Sequence, residues 1–267
     1  MEAYPDFFEV KVDPIIPVTG GTKTSDDDGK TWKDAPGPPI FLRIYHSKTD
    51  PFLQELLKEL PAPSVKNLRH KIKAVRYHKE RYLAAETEEV DRLQHLPPSQ
   101  GADSVLDDPE AIYDLEGFLF QVKSCLDVAM LVLKNRLAGR GRDSIKGFNS
   151  SGNVAGEKTV TALNRYIVEN HVDENIKPIQ EILLLIAQIQ PWSSELVDMR
   201  DKVTHFARLE TLWFIQEAYL IQGKSRIRFP RLPDNVRDIR TSQYIDETWE
   251  KLIDFLQKYL DIIRQMK

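Results

Sequence analysis

The stretch Ser193-Ser194-Glu195-Leu196-Val197-Asp198-Met199-Arg200-Asp201-Lys202-Val203-Thr204-His205-Phe206 decides how this chain is read. Leu196, Met199, Val203 and Phe206 recur three and four residues apart, and Trp213 extends the row. One face of a helix there must be buried. Pro191 and Trp192 ahead of it, Ser193 as N-cap, and a Trp192–Val197 hydrophobic staple predict a helix start, with the helix running from Glu195 to about Gln222. On its polar edge Asp201 and His205 are four apart and stack, with Arg200 and Thr204 in the neighbouring row. Arg200 and His205 lie about 140° apart on an ideal wheel, and the arginine's long stem sweeps round to the same groove.

Outward from this segment the same periodicity recurs. Val65, Leu68, Ile72, Val75 and Tyr82 mark one buried stripe of a helix from about 64 to 95, which Pro97-Pro98 ends. A polar linker spans 97–107. Asp107-Asp108-Pro109-Glu110 then opens a helix running to about Leu137, with an Asp cap, Pro in the first turn and acids near the N-terminus. Residues 138–156 read as a Gly/Ser/Asn loop, followed by helices at about 155–171 and 174–190. Residues 225–240 read as an irregular crossing around Pro230 and Pro233, before a final helix at about 241–265 that buries Ile245, Trp249, Leu252, Leu256, Tyr259 and Ile263.

Residues 1–50 differ. Phe7–Val12 alternates like a strand, Ile40–Tyr45 is a second strand candidate, and a Gly-, Asp- and Pro-rich loop joins them. The run Asp26-Asp27-Asp28 fails the EF-hand spacing and reads as a solvated turn. The expected architecture is therefore an all-α helical bundle with a small N-terminal β-containing extension. It divides into 1–50 (a hairpin or arm), 51–107 (a helical segment and linker) and 108–267 (the main bundle).

The 267 residues supply a sizeable core, and 37 basic against 41 acidic residues leave a mild net charge of −4. That balance argues against a general nucleic-acid coat while permitting a local basic groove. The single cysteine, Cys125, lies in the apolar run 118–133 and reads as a buried small hydrophobe. It can form neither an internal disulfide nor a cysteine zinc site. No apolar stretch is long enough to span a membrane and no signal peptide is evident, so a cytoplasmic protein is expected. Histidines without ligand-spaced companions predict no metal, and no cofactor motif is present.

The chemistry converges on Arg200, Asp201 and His205. A guanidinium is permanently charged and its fork matches phosphate oxygens. An imidazole titrates near neutrality and can move a proton at a ribose 2′-hydroxyl or a leaving 5′-oxygen. Asp201 can orient either. The loose spacing also occurs at Arg165 and His171, but Tyr166 stands there where the small polar residue is wanted. The alternative is a solvated helix face carrying an Asp201–His205 pair. A symmetric dimer would supply a second copy of the groove.

With these long helices and this motif, the chain resembles the HEPN superfamily, helical bundles whose signature is Arg, a polar residue, three variable residues, then His. Here those are Arg200, Asp201 and His205. The resemblance covers about 108–267. It implies a metal-independent ribonuclease acting as a homodimer, with these three residues catalytic and with roles in toxin–antitoxin or antiviral defence, where an antitoxin or other regulatory protein is a partner. Some members have lost catalysis and serve as binding or dimerisation modules. Ala207 stands where one subgroup has tyrosine, and no nucleotidyltransferase signature is present.

Candidate RNA contacts lie elsewhere. The helix at 64–95 carries Lys66, Arg69, Lys71, Lys73, Arg76, Lys79 and Arg81, which can track a phosphate backbone, while Tyr77 or Tyr82 can stack on a base. Arg140, Arg142 and Lys146 punctuate a glycine-containing loop that can grip phosphate. Arg69, Arg76, Arg140 and Arg142 are the RNA-binding candidates, a solvated charged face being the alternative for each. Glu116 and Asp127, eleven apart on one helix face, are candidates to hold Arg200 or His205, with an exposed edge as the alternative.

Overall fold

The computed structural model describes residues 51–58, 60, 62–95, 104–107, 109–151, 154–206, 213–219, 224–228, 232 and 239–266, together with the strands at 22–24 and 33–35. The chain divides into two units, 1–52 and 53–267. In the first, strands β1 (Thr22–Thr24) and β2 (Lys33–Ala35) pair antiparallel, Lys23 opposite Asp34. They fall in the segment read from sequence as a polar loop. The strand candidates at 7–12 and 40–45 lie outside the described residues.

The second unit is mostly helical. A short α1 (Pro51–Leu56) leads into α2 (Ala62–His95). Strand β3 (Ser104–Asp107) precedes α3 (Pro109–Lys134), and a 3-10 turn at Arg142–Ser144 sits in the loop before α4 (Glu157–Glu169). Then come α5 (Ile176–Phe206), strands β4 (Trp213–Tyr219) and β5 (Lys224–Arg228), and α6 (Thr241–Gln265). α2 lies along α3, α5 packs on α3, α4 and α6, and α6 also meets α2 and α3. Buried residues of 53–95 therefore share one core with the helices after 108.

Helical periodicity builds that core. Leu68, Ile72, Val75 and Tyr82 of α2 are fully buried and Val65 nearly so. From α3 come Leu115, Phe118, Leu119, Val122, Cys125 and Leu126, and from α6 Ile245, Leu252, Phe255, Leu256, Tyr259 and Ile263. Burying side chains of this size contributes about 1.5–3 kcal/mol each before conformational entropy is subtracted. The Tyr259 hydroxyl donates to the Ala129 carbonyl at 2.5 Å, tying α6 to α3 inside the core. Burial pushes the Cys125 thiol up to about 12, as expected of a packing residue.

Three expectations fail around α5. Pro191 and Ser193 do not start a helix but lie inside one of 31 residues that fuses the two segments expected at 174–190 and 195–222. Pro191 has no N–H to offer the preceding turn, and Ala155 braces this point. Ala155 N–H donates to Ser194 Oγ (3.0 Å), Gln190 Nε2 donates to Ala155 O (3.4 Å), and Ser193 Oγ donates to Gln190 O (3.4 Å). Gly156 makes the close approach possible. Its φ of +75° is left-handed, and a Cβ there would stand 2.7 Å from the Phe148 ring.

The second failure is the helix end. α5 stops at Phe206, and Trp213–Tyr219 is the central strand of the antiparallel sheet β3-β4-β5. Val105 pairs with Ile215 and Ile215 with Arg228. The third is that the "linker" at 97–107 and the "crossing" after 225 supply the flanking strands. An aromatic and β-branched run such as Trp213-Phe214-Ile215 favours a pleated surface once partners are available, and those partners are remote in sequence.

Candidate functional site

Arg200 and Asp201 sit six and five residues before the last residue of α5, Phe206, just past the buried pair Leu196 and Met199 that fixes which side of the helix faces the core. Arg200 Nη2 reaches Asp201 Oδ1 at 2.5 Å, with 28% and 45% of the two side chains exposed. The carboxylate therefore orients the guanidinium, one of the two roles the sequence left open. One turn around, Lys202 Nζ pairs with Asp198 at 2.7 Å. His205 lies in the last turn of the same helix, and its side chain is outside the described residues. Arrangement and chemistry together offer a phosphate-matching, part-exposed cation paired with its neighbour, on a helix whose Leu196 and Met199 face the core.

The decoy at Arg165 separates cleanly. Arg165 Nε is spent on Glu169 at 2.6 Å in an exposed i,i+4 pair, and His171 is exposed beyond the end of α4. Asp127 has its contacts on its own helix and the loop that follows. It accepts Lys123 Nζ at 2.7 and 2.8 Å and caps Phe148 N–H at 2.8 Å, so it anchors the loop after α3. Glu116 is half-buried on α3.

The RNA-contact candidates divide. Arg76 is bound to Glu80 at 2.7 Å, and Arg142 donates to the Leu137 carbonyl at 3.3 Å, so both have structural duties. Arg69 and Arg140 are exposed. Several other cations of α2 also turn inward. Lys71 donates to Gln121 of α3 at 3.2 Å, Lys79 pairs with Asp246 of α6, and Arg81 reaches Asp114 and Glu110 of α3 at 3.2 and 3.3 Å. Hydrogen bonding and attraction to Asp114 hold the Arg81 guanidinium even more firmly protonated than usual.

Sequence reasoning missed the centre of this seam. Asp114, almost wholly buried, accepts His78 Nδ1 on one oxygen (3.0 Å) and Arg81 Nε on the other (3.2 Å). The His78 ring fills the space above Gly117, where a Cβ would lie 2.5 Å from Cε1. A second seam joins Arg240, at the start of α6, to the buried Glu86 of α2. The partners are 33 to 154 residues apart, and the only local sign was acids at 86 and 89 falling on the α2 side that is buried.

No family model matches this chain, and neither a curated protein nor a solved structure is similar to it at a significant level. No helix is long and apolar enough to cross a membrane among the described residues.

Proposed function

We propose that this protein is a metal-independent endoribonuclease of the HEPN type. In this reading Arg200, Asp201 and His205 form the catalytic group, on a HEPN-like bundle with an N-terminal β-containing extension. The observation that carries the reading is the Arg200–Asp201 pair at 2.5 Å, part-exposed on the outer turns of α5, five residues ahead of His205. Asp201 fixes the guanidinium, and the charge of Arg200 stabilises the non-bridging oxygens of a phosphodiester as negative charge develops in the transition state. His205 moves the proton between the 2′-hydroxyl and the leaving 5′-oxygen. The products are a 2′,3′-cyclic phosphate and a 5′-hydroxyl. One chain carries one such histidine, so a homodimer that faces two motifs across a cleft completes the acid–base pair. A cytoplasmic enzyme of toxin–antitoxin or antiviral defence, held in check by an antitoxin or other regulatory protein, fits this chemistry.

The test is RNA incubated in EDTA with the wild type, Arg200→Ala and His205→Ala. The expected result is cleavage by the wild type alone, leaving cyclic-phosphate ends. Cleavage that survives either substitution, or that requires a divalent metal, refutes the mechanism.

A second reading, a non-catalytic helical interaction module, is favoured by a different observation. Lys79 and Arg81 of α2 are neutralised by Asp246 of α6 and Asp114 of α3, while Tyr113, Phe120 and Leu131 stand exposed on one face of α3. Intact RNA in every arm of the same experiment supports it.

A further inference from the structure

The basic side chains of α2 are sorted by the fold into two sets. Lys71, Arg76, Lys79 and Arg81 are tied to Gln121, Glu80, Asp246 and Asp114. Lys66, Arg69, His70 and Lys73 hold no hydrogen bond or ion pair among the described residues, and the first three are exposed. Lys66, His70, Lys73, Tyr77 and Arg81 follow one another at four, three, four and four residues, which aligns them in a single row along one side of the helix. Tyr77 is 56% exposed, and the Arg81 side chain is about half exposed beyond it. The one acid between Lys66 and Arg81 is Glu80, already bound to Arg76. A chain of net charge −4 thus displays Lys66, His70 and Lys73, without partners among the described residues, in a row that leads to the open Tyr77 ring and then to the acid-bound Arg81.

We infer that this row is a binding track for single-stranded RNA. Lys66, Arg69 and Lys73 take successive phosphates, and Tyr77 stacks on a base at the Arg81 end. The fifteen-residue separation from Lys66 to Arg81 spans about 22 Å at ~1.5 Å per residue, the length of about six stacked nucleotides at ~3.4 Å each. The charge complementarity selects a polyanion, and the exposed ring selects one whose bases are unpaired. The choice of RNA rests on the proposed nuclease activity. The track itself does not, because it is separate from Arg200 and His205 in sequence and carries no cleavage chemistry.

The test uses full-length protein with both Arg200→Ala and His205→Ala, so that binding is read without cleavage. Fluorescence anisotropy with a labelled 20-nucleotide oligo(U) in EDTA is followed from about 50 to 200 mM salt. Three phosphate contacts predict a slope of about −2 in log K against log salt, a loss of about 20-fold over that range. Lys66→Gln, Arg69→Gln and Lys73→Gln combined should flatten the slope to near zero. Tyr77→Ala should weaken binding about tenfold at constant slope, and Tyr77→Phe should restore it. Circular dichroism and the thermal midpoint, unchanged in each surface variant, show that folding is intact. Binding that is absent at 50 mM salt, or unaltered by the triple substitution, overturns the inference. So does equal affinity for a poly-glutamate peptide or for vesicles containing anionic lipid. Binding by this track with no cleavage by the wild type retains the inference and discards the nuclease.

Discussion

Gly117→Ala isolates the α2–α3 seam. In the middle of a helix, alanine is favoured over glycine by about 1 kcal/mol, so propensity alone predicts a more stable protein. The structure predicts the opposite sign. The new methyl would stand 2.5, 2.6 and 2.9 Å from Cε1, Nδ1 and Nε2 of His78, closer than real contacts allow. The ring must swing out, which breaks its 3.0 Å hydrogen bond to the buried Asp114 carboxylate. A hydrogen bond to a charged group is worth about 1.5–3 kcal/mol. Asp114 keeps Arg81 on its other oxygen, which places the loss toward the lower end of that range. The net is a destabilisation of about 0.5–1 kcal/mol, a fall of a few degrees in thermal midpoint for a unit of this size. In a His78→Ala background the obstruction is gone, and the same glycine substitution should stabilise by about 1 kcal/mol. Urea and thermal denaturation of the four proteins in this cycle measure the sign reversal. A more stable Gly117→Ala protein with His78 in place would refute the reasoning.

Cys125, buried and with its thiol held up at about 12, should resist Ellman's reagent at pH 8 for hours in the native protein and react within minutes in urea. Tyr166 is fully buried, with its hydroxyl 2.5 Å from both Ala138 O and Asp173 Oδ2, and burial followed by Asp173 raises its phenol to about 12. A folded value above the unfolded one means its contribution is complete below about pH 10 and lost as the pH rises toward 12, of the order of 2 kcal/mol. Tyr166→Phe should accordingly show a shallower loss of stability than the wild type across pH 10–12, and parallel curves would count against the assignment.

What the sequence disclosed follows from the range over which each structural decision is made. The stripe Val65, Leu68, Ile72, Val75 and Tyr82 fixed a helix because its period is internal to the segment, and the described helix spans Ala62–His95. Trp213–Tyr219 was legible only as apolar and continued the row begun by Leu196. Whether such a run coils or extends depends on β3, which pairs with it from more than a hundred residues away. Pro191 carries the same signal at a helix start as inside a braced helix, and the brace comes from Ala155. Arg200 and Asp201 are adjacent, so their pairing needed no tertiary information. His78, Arg81 and Asp114 meet only because α2 lies along α3, and neither helix alone marks them.

The same packing decides which substitutions on α2 can report on RNA. Lys79 and Lys73 are six residues apart on one helix and carry the same charge, so composition cannot distinguish them. Lys79 is mostly buried and bound to Asp246 of α6. Lys79→Gln takes a partner from that carboxylate and a packed stem from the α2–α6 contact. Its expected cost is about 1–2 kcal/mol in stability, with oligo(U) affinity per folded molecule unchanged. Lys73 holds no partner among the described residues. Lys73→Gln should leave the urea midpoint where it is and lower the salt slope of binding by about 0.7. The two variants therefore move different observables in opposite proportion, which a general loss of positive charge cannot do. If both weaken binding equally at unchanged stability, the helix acts as an undivided basic surface and the sorting of its cations has no functional meaning.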